Sequence, residues 1–592
     1  MDSSNSESIT SSEIRPLLSV TQPPSRPTAR ERLSRVRLLP NAQLCPLSRA
    51  VVLILLWTAL INVVYVTVKG GMSFAADTLA AEHPMLYHSY NLVFTKILYV
   101  LVFILLPITG FMADVFCGRH KIIIIGLCLL LCGTAFLSLV SAQYFSHFAT
   151  TPFTVIQKNN GPFYAFAIAG LLFVIVGIYG YRATIIQFGL DQLLEAPSDH
   201  LGLFVHWIEW FTILGMAVGQ AIISVLYNCK HSAIINVMFS LPLLFVCLLS
   251  VMLIFTCWKH HWFYTEPIRN NPYKMVVKVL NFARKHKYPL QRSAFTYCDD
   301  EEPSRIDFGK ERYGGPYKTE QVEDVKTLLR IMIVLLALGP VFAMEVPVTT
   351  VLPIFINHIV TQGNYSSCNW KQVIIDAYFL RYLMIVISFP LYIWLVYSVL
   401  RQCIPRLFIR LCIGIVILLA GLQFVFLIEL LGHYFYYKHH GHGVLCMFRE
   451  MKHKHYNHHI GLPWAMTVMP TFLTEIGLTV IVTTVNEFIA AQSPQTMKGL
   501  VIGVSFAVQG MFKVIITVAI LPFSMNEIWE SKRMTENPPP IISCGFGYLL
   551  CICIIGLVGF VLFLVVARKY KYRKRDDPPF NQAIVESVWA NA

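Results

Sequence analysis

The sequence predicts an all-α membrane protein with about twelve transmembrane helices in two six-helix bundles, and three observations predict it. Of 592 residues, 56% are hydrophobic and 14% charged, whereas a typical soluble domain is about 25% charged; the excess apolar surface needs lipid. Apolar runs of about 20 residues, the length a helix needs to cross the hydrocarbon core, recur between charge clusters. One long polar break separates six such runs from six more.

Residues 1–50 form a polar, Ser- and Pro-rich tail without the apolar core of a cleavable signal peptide, expected to be disordered and cytosolic. The N-terminal bundle occupies 51–258, with spans at 51–70, 90–113, 122–142, 163–181, 203–226 and 233–258. Residues 259–327, rich in Lys, Arg, Asp and Glu, are too hydrophilic to span and read as a cytosolic inter-bundle linker. The C-terminal bundle occupies 328–567, with spans at 328–354, 373–399, 407–431, 464–488, 500–521 and 545–567. Residues 568–592 are a basic cytosolic tail.

Orientation follows from basic flanks, because cytosolic loops retain Lys and Arg. Arg15, Arg26, Arg30, Arg32, Arg35, Arg37 and Arg49 precede the first span, and Arg568, Lys569, Lys571, Arg573, Lys574 and Arg575 follow the last. Both termini are therefore expected in the cytosol, as an even span count requires. The net charge of +14 is mostly this topology signal, with anionic lipid head groups as a further partner. No basic stretch interleaved with aromatics points to nucleic acid.

Outside the spans, Glu13, Leu17 and Leu18 fit the acidic dileucine pattern that clathrin adaptors read as an endosomal or lysosomal address; the other reading is an unread apolar pair, which leaves the plasma membrane open. Asn364-Tyr365-Ser366 is an N-glycosylation sequon in a noncytosolic loop. Cys229, Cys368 and Cys446 also fall in such loops, where two could pair in an oxidising lumen. His433, His439, His440, His442, His453, His455, His458 and His459 crowd the segment between spans nine and ten. That segment is a solvated low-complexity loop, a sensor of acidification, or a trap for a soft divalent metal, and its irregular spacing assigns no metal site.

Motifs narrow the class. Gly110-Phe111-Met112-Ala113-Asp114 runs into Gly118-Arg119-His120-Lys121, which resembles the short cytosolic loop of the major facilitator superfamily, a helix-end carboxylate beside a basic turn. Gly180-Tyr181-Arg182 leads into Phe188-Gly189-Leu190-Asp191-Gln192, similar to the signature of proton-coupled oligopeptide transporters, with Arg182 at the position of that family's lysine. His206-Trp207-Ile208-Glu209-Trp210-Phe211 before Gly215, Phe263-Tyr264 before Pro267, Glu320 to Lys326, and Asn486-Glu487-Phe488 through Gln492-Ser493-Pro494 to Met497-Lys498 resemble further family motifs in the family's order. The resemblance covers most of the chain and implies the major facilitator fold, alternating access about a midplane site, small peptides or related amino-acid solutes such as histidine as cargo, and protons as coupling ion.

One departure matters most. The family's first-span Glu-x-x-Glu-Arg motif is absent, and Asn62, Tyr65 and Val66 stand at the corresponding positions; none of them cycles a proton near neutral pH. Charges within spans cost roughly 2.5 to 3.5 kcal/mol each by insertion scales, so Lys96, Arg182, Glu209, Glu345, Arg381, Glu475 and Glu487 are functional candidates. Arg182, Glu345, Arg381 and Glu475 are favoured for substrate binding or coupling: the arginines for an anionic group, and Glu345 or Glu475 for a cationic group or a proton. Asp114, Arg119, Asp191 and Glu487 are candidates for a cytosolic gate, with Arg182 and Glu487 both expected near cytosolic helix ends. The other reading of these charges is that they pair and only fix helix packing. Pro347, Pro353, Pro390 and Pro470 are expected to bend cavity-lining helices.

No Gly-rich phosphate loop, nucleophile elbow or metal-ligand motif is present, so neither an enzyme nor a cofactor is expected. Two alternatives to peptide transport stand: a transporter of the same fold for another small solute such as nitrate, an organic anion or an amino acid, and a transport-inactive membrane scaffold or sensor.

Overall fold

The structure, a computed structural model, describes residues 49–80, 103–148, 161–193, 198–228, 232–265, 271–288, 303–346, 377–394, 406–440, 465–530 and 545–573. Its helices are α1 (Arg49–Ala80), α2 (Phe103–Cys117), α3 (Arg119–Phe148), α4 (Gly161–Asp191), α5 (Ser198–Asn228), α6 (Ser232–Trp258), α7 (Pro272–Lys285), α8 (Thr319–Ala343), α9 (Ala377–Trp394), α10 (Leu407–His440), α11 (Ala465–Gln492), α12 (Lys498–Glu530) and α13 (Gly545–Lys569). Ten of these are long and apolar enough to cross a membrane, and α2 and α9 contribute two shorter apolar helices. Together they fill the twelve expected spans of a multi-pass integral membrane protein, with α7 the extra helix in the linker.

The two halves repeat one packing plan. In the first, α3 lies along α4, α1 along α5, and α3 against α6; in the second, α10 lies along α11, α8 along α12, and α10 against α13. Small residues set both close pairs, Gly126 against Gly177 and Gly133 against Gly170 in one, Gly414 and Gly421 against the Thr474–Gly477 stretch in the other. In lipid, where no hydrophobic force draws helices together, such glycines let backbones approach closely enough for dispersion to hold them. The outermost helices, α6 and α13, bury only 17% and 22% of their apolar windows, and Val251, Ile254, Leu557 and Val561 are exposed on them. These faces meet hydrocarbon.

Local chemistry shapes the helix ends. The last turn of α2, Ala113–Cys117, is a π turn closed by Gly118 at φ 79, a conformation nearly free of cost only for glycine. The chain thus passes from α2 into α3 through one residue. At the other end of the molecule's functional axis, α8 stops at Ala343, with a turn at Met344 just before Glu345. Pro347, which like Pro353 lies outside the described residues, has no N–H to return to the Ala343 carbonyl. Pro340, Pro390 and Pro470 lie within α8, α9 and α11.

The polar segment between the halves is folded. Asn271 caps α7 by accepting from the Tyr273 and Lys274 amides at 3.0 and 3.4 Å, and Pro272 occupies its first turn, where a missing N–H costs nothing. Val279 of α7 packs on Val322 and Val325. Those two belong to α8, which begins at Thr319, so the seventh span's helix reaches nine residues into the segment taken from the sequence as linker. Asp307 knots the rest, receiving Lys326 at 2.8 Å, Lys310 at 2.7 Å and the Ser304 hydroxyl at 2.6 Å. Burial alone would raise the Asp307 carboxyl, but these donors overturn it and hold the group well below its ordinary value of 3.8. Gln192, just after α4, clamps the Tyr264 backbone through donor and acceptor at 3.0 and 2.8 Å. Arg49 lies over the Trp262 ring and Arg573 pairs with Asp324, which puts both ends of the helical body on the linker face.

Candidate functional site

Where the halves meet, α1, α4, α5 and α12 enclose a cavity of about 30 Å³ lined by Thr58, Asn62, Tyr181, Arg182, Glu209 and Phe506, among others. Thr58 spends its hydroxyl proton on the Ile54 carbonyl at 2.9 Å, so the 2.9 Å bond with Tyr181 is donated by the tyrosine. Asn62 donates to the Thr58 carbonyl at 2.7 Å. The Arg182 guanidinium lies 5.3 Å over the Phe506 ring, and Glu209 is within electrostatic reach of Arg182 and Glu345. Gly215 and Gly219 of α5 abut Ala59, Val63 and Val66, which draws Glu209 up against α1. The space is large enough for two or three waters, since each needs about 10–15 Å³.

The second half adds two acid–base pairs. Lys513 of α12 meets Glu345 at 2.6 Å, and Arg381 of α9 pairs with Glu475 of α11. They differ in access: the Arg381 and Glu475 side chains are 9% and 5% exposed, those of Lys513 and Glu345 15% and 35%. Glu345 is the electrostatic hub, acting on Tyr65, Glu209 and Glu475 and feeling Lys513, Arg381 and Arg182. Among the described residues, three cations and three carboxylates therefore face the inter-bundle space, and their formal charges cancel.

On the linker face the halves are shut. Arg119 sits between Asp191 at 2.6 Å and Asp114 at 3.6 Å, and Gln187 donates to Asp191 at 2.7 Å. Asp114 also accepts from the Leu500 amide, at the N-terminus of α12, and from the Tyr273 hydroxyl of α7, each at 3.0 Å. The positive end of a helix is a natural seat for a carboxylate, and this one ties the first half to the second. A second seam joins α5 to α9, where Leu203 and Ile213 pack on Ile385, Phe389 and Ile393 and Trp210 donates to the Val386 carbonyl at 3.1 Å.

The gate candidates thus divide. Asp114, Arg119 and Asp191 come together, while Glu487 pairs with Arg410 at 2.8 Å. Arg182, expected near a helix end, instead stands nine residues before Asp191 on α4, about 13 Å up the helix, in the cavity wall. Arg381 is engaged with Glu475 and does not stand open for an anion. Sequence reasoning passed over Lys513, Arg410 and Tyr273; Lys513 was available to the same rule that picked out Glu345, a lone charge inside an apolar run. Glu13, Leu17, Leu18, Lys96, Cys229, Asn364, Cys368 and Cys446 lie outside the described residues, as does the His-rich segment beyond His440. Among the described residues no three of His, Cys, Asp and Glu gather as a metal site.

No family model matches the chain. Over 251 residues it is 26% identical to human Solute carrier family 15 member 5, a match spanning 42% of this chain and about two fifths (41%) of that protein's length. Among solved structures it is similar to the POT family transporter PepTSo, with a TM-score of 0.58 at 14% identity over 88% of this chain and 98% of that one. An auto-inhibited POT family peptide transporter superposes with a TM-score of 0.57 at 15% identity over 90% and 99%. The human organic anion transporter MFSD10 reaches 0.50 at 11% identity over 87% and 98%. The structural likenesses show the fold, the twelve-helix, two-bundle architecture of these transporters, and the human sequence match agrees with the ordered motifs that resemble the proton-coupled oligopeptide transporter family.

Proposed function

We propose that the chain is a secondary transporter of small peptides or related amino-acid solutes, coupled to protons and working by alternating access. The observation that carries this is the balanced set of cations and carboxylates, Arg182 with Glu209, Lys513 with Glu345 and Arg381 with Glu475, around a space between two halves that is closed on the linker face. A peptide presents one ammonium and one carboxylate, and such a space offers a partner to each. Because no carboxylate stands at Asn62, Tyr65 or Val66 of α1, we place the transported proton on Glu209, Glu345 or Glu475. We read the linker face as cytosolic from its flanking Lys and Arg. Opening then breaks the Asp114–Leu500 and Trp210–Val386 contacts.

The altered first helix, Asn62, Tyr65 and Val66, favours a second reading in which the same machinery carries a different small anion or amino acid. The test is uptake of labelled di- and tripeptides and of free histidine into proteoliposomes, with and without an inward proton gradient. Gradient-driven accumulation of peptide supports the proposal. Histidine or another solute accumulating while peptide does not selects the second reading, and no uptake of any solute overturns transport.

A further inference from the structure

We propose that the linker-side end of α6 carries a binding site for one anionic phospholipid, whose phosphate pairs with Arg49 and Lys259 beside the Trp262 ring. The site lies at the rim of the helical body, away from the inter-bundle space, and does not depend on the transport reading.

Three observations converge there. Leu244, Leu248, Val251, Ile254 and Trp258 are all exposed and fall on one face of α6 by their spacing. Trp258, 68% exposed, ends this stripe where hydrocarbon gives way to headgroups, the level at which tryptophan rings collect. Directly after it, the turn His260–Trp262 folds the chain back under the helix. The Trp262 amide donates to the Lys259 carbonyl at 2.9 Å, and the next ring, Phe263, is buried against Trp57 of α1 at 5.2 Å. Trp262 is thereby held in one place between the end of α6 and the start of α1. Two cations then meet on it: the Arg49 guanidinium lies 5.9 Å and the Lys259 ammonium 5.3 Å from the Trp262 ring centre, with the ammonium also 4.0 Å over Trp258.

Two like charges on one ring repel each other, and among the described residues neither Arg49 nor Lys259 meets a carboxylate. Ring contacts hold exposed cations only weakly, whereas a phosphate accepts the guanidinium fork and the ammonium together. The flexible stems of both side chains let them swing onto one headgroup beside the ring. Charge alone would draw any anion, but the stripe adds what only a lipid can use: acyl chains lie along Leu248, Val251 and Ile254 while the phosphate stands at the level of Arg49 and Lys259. A zwitterionic lipid brings its own ammonium to the same place and gains less. Such a headgroup fastens the start of α1 to the end of α6. It also bears on the gate, since the Phe263 ring meets Phe188 at 5.6 Å and His120 at 5.5 Å, and His120 follows Arg119 in the chain.

The test is native mass spectrometry of the full chain, delipidated in detergent and titrated with phosphatidylglycerol or phosphatidylcholine of matched acyl chains. Wild type should bind its first phosphatidylglycerol more tightly than its first phosphatidylcholine. Arg49→Gln and Lys259→Gln should each weaken that binding about fivefold, and together about 25-fold, the usual worth of a cation at an anionic membrane surface. Lys285→Gln removes an exposed charge on the linker helix α7 and should leave it unchanged. Trp262→Leu should weaken it too, by releasing both cations; if that variant melts early, the glutamine variants decide. Equal wild-type affinity for the two lipids, or no loss in the double variant, overturns the proposal. An equal loss in Lys285→Gln also overturns it, because the attraction is then spread over the surface. Soluble glycerol phosphate is the last arm: if it displaces phosphatidylglycerol at equal concentration, the site takes free phosphate and the lipid assignment falls.

Discussion

Replacing Gly110 by alanine should force the linker face open. A methyl group at Gly110 would lie 2.7 Å from the Gly499 carbonyl carbon and 3.1 Å from the Leu500 Cα, and nearer still to the Gly499 oxygen, whereas ordinary contact begins at 3.4 Å. Its neighbours are backbone atoms at the start of α12, so no rotamer change relieves the clash and α2 must back away by about 0.7 Å or more. Overpacking of this kind costs about 1–3 kcal/mol. The cost falls on the closed arrangement alone, because separation of the halves removes Gly499 from Gly110. The ratio of open to closed should therefore rise about 5- to 150-fold. Hydrogen exchange at the Leu500 amide reports it directly, since that N–H donates to Asp114 across the seam and is protected only while the seam is shut. Gly180→Ala is the control: the nearest atom a methyl would meet there is 4.0 Å away, and exchange at Leu500 should not move. An unchanged Leu500 exchange rate in a Gly110→Ala protein that still melts at the wild-type temperature would refute the idea that this helix contact holds the gate.

Two further perturbations follow from the linker. Tyr273→Phe removes one donor from the Asp114 carboxylate and keeps the ring packing on Phe111, 5.0 Å away; a hydrogen bond to a charged group is worth about 1.5–3 kcal/mol, so Leu500 exchange should quicken about tenfold or more. Asp307→Asn strips the shared partner from Lys310 and Lys326 and should cost about 1–3 kcal/mol, read as earlier proteolysis of residues 303–318 and a lower melting temperature. Because the Asp307 carboxyl is held below its ordinary value of 3.8, its contribution is fully present above that value and fades only as pH falls through the lowered one. Acidification from pH 7 to about 5 should thus leave the knot intact, and loosening over that range would contradict the assignment.

Much of the architecture could be read from residues because its causes are local. A run of about 20 apolar residues has few fates other than a span, and Asp114 and Arg119 announce a gate because a one-residue turn cannot keep their charges apart. What escaped was decided by helices distant in sequence. Nothing in the spacing of Arg381 and Glu475 shows that they close on each other, and the height of Arg182 in the cavity wall is set by how α4 lies along α3. Tyr273 escaped because a polar linker reads as a tether until Val279 is seen seated on Val322 and Val325. Lys513 differs from these: its lone charge inside an apolar run is as visible in the sequence as that of Glu345.

Among the described residues the formal charges of Arg182, Arg381 and Lys513 cancel those of Glu209, Glu345 and Glu475, and under the proposed proton-coupled reading that has an electrical consequence. Moving one elementary charge through a membrane potential is worth about 2.3 kcal/mol per 100 mV, and a cavity with no net charge is indifferent to that field. The empty protein would reorient at the same rate whatever the voltage. A cavity loaded with a zwitterion and one proton carries +1, so an inside-negative voltage drives that step toward the cytosol and leaves the return unaffected. Voltage dependence would then reside entirely in the loaded half of the cycle.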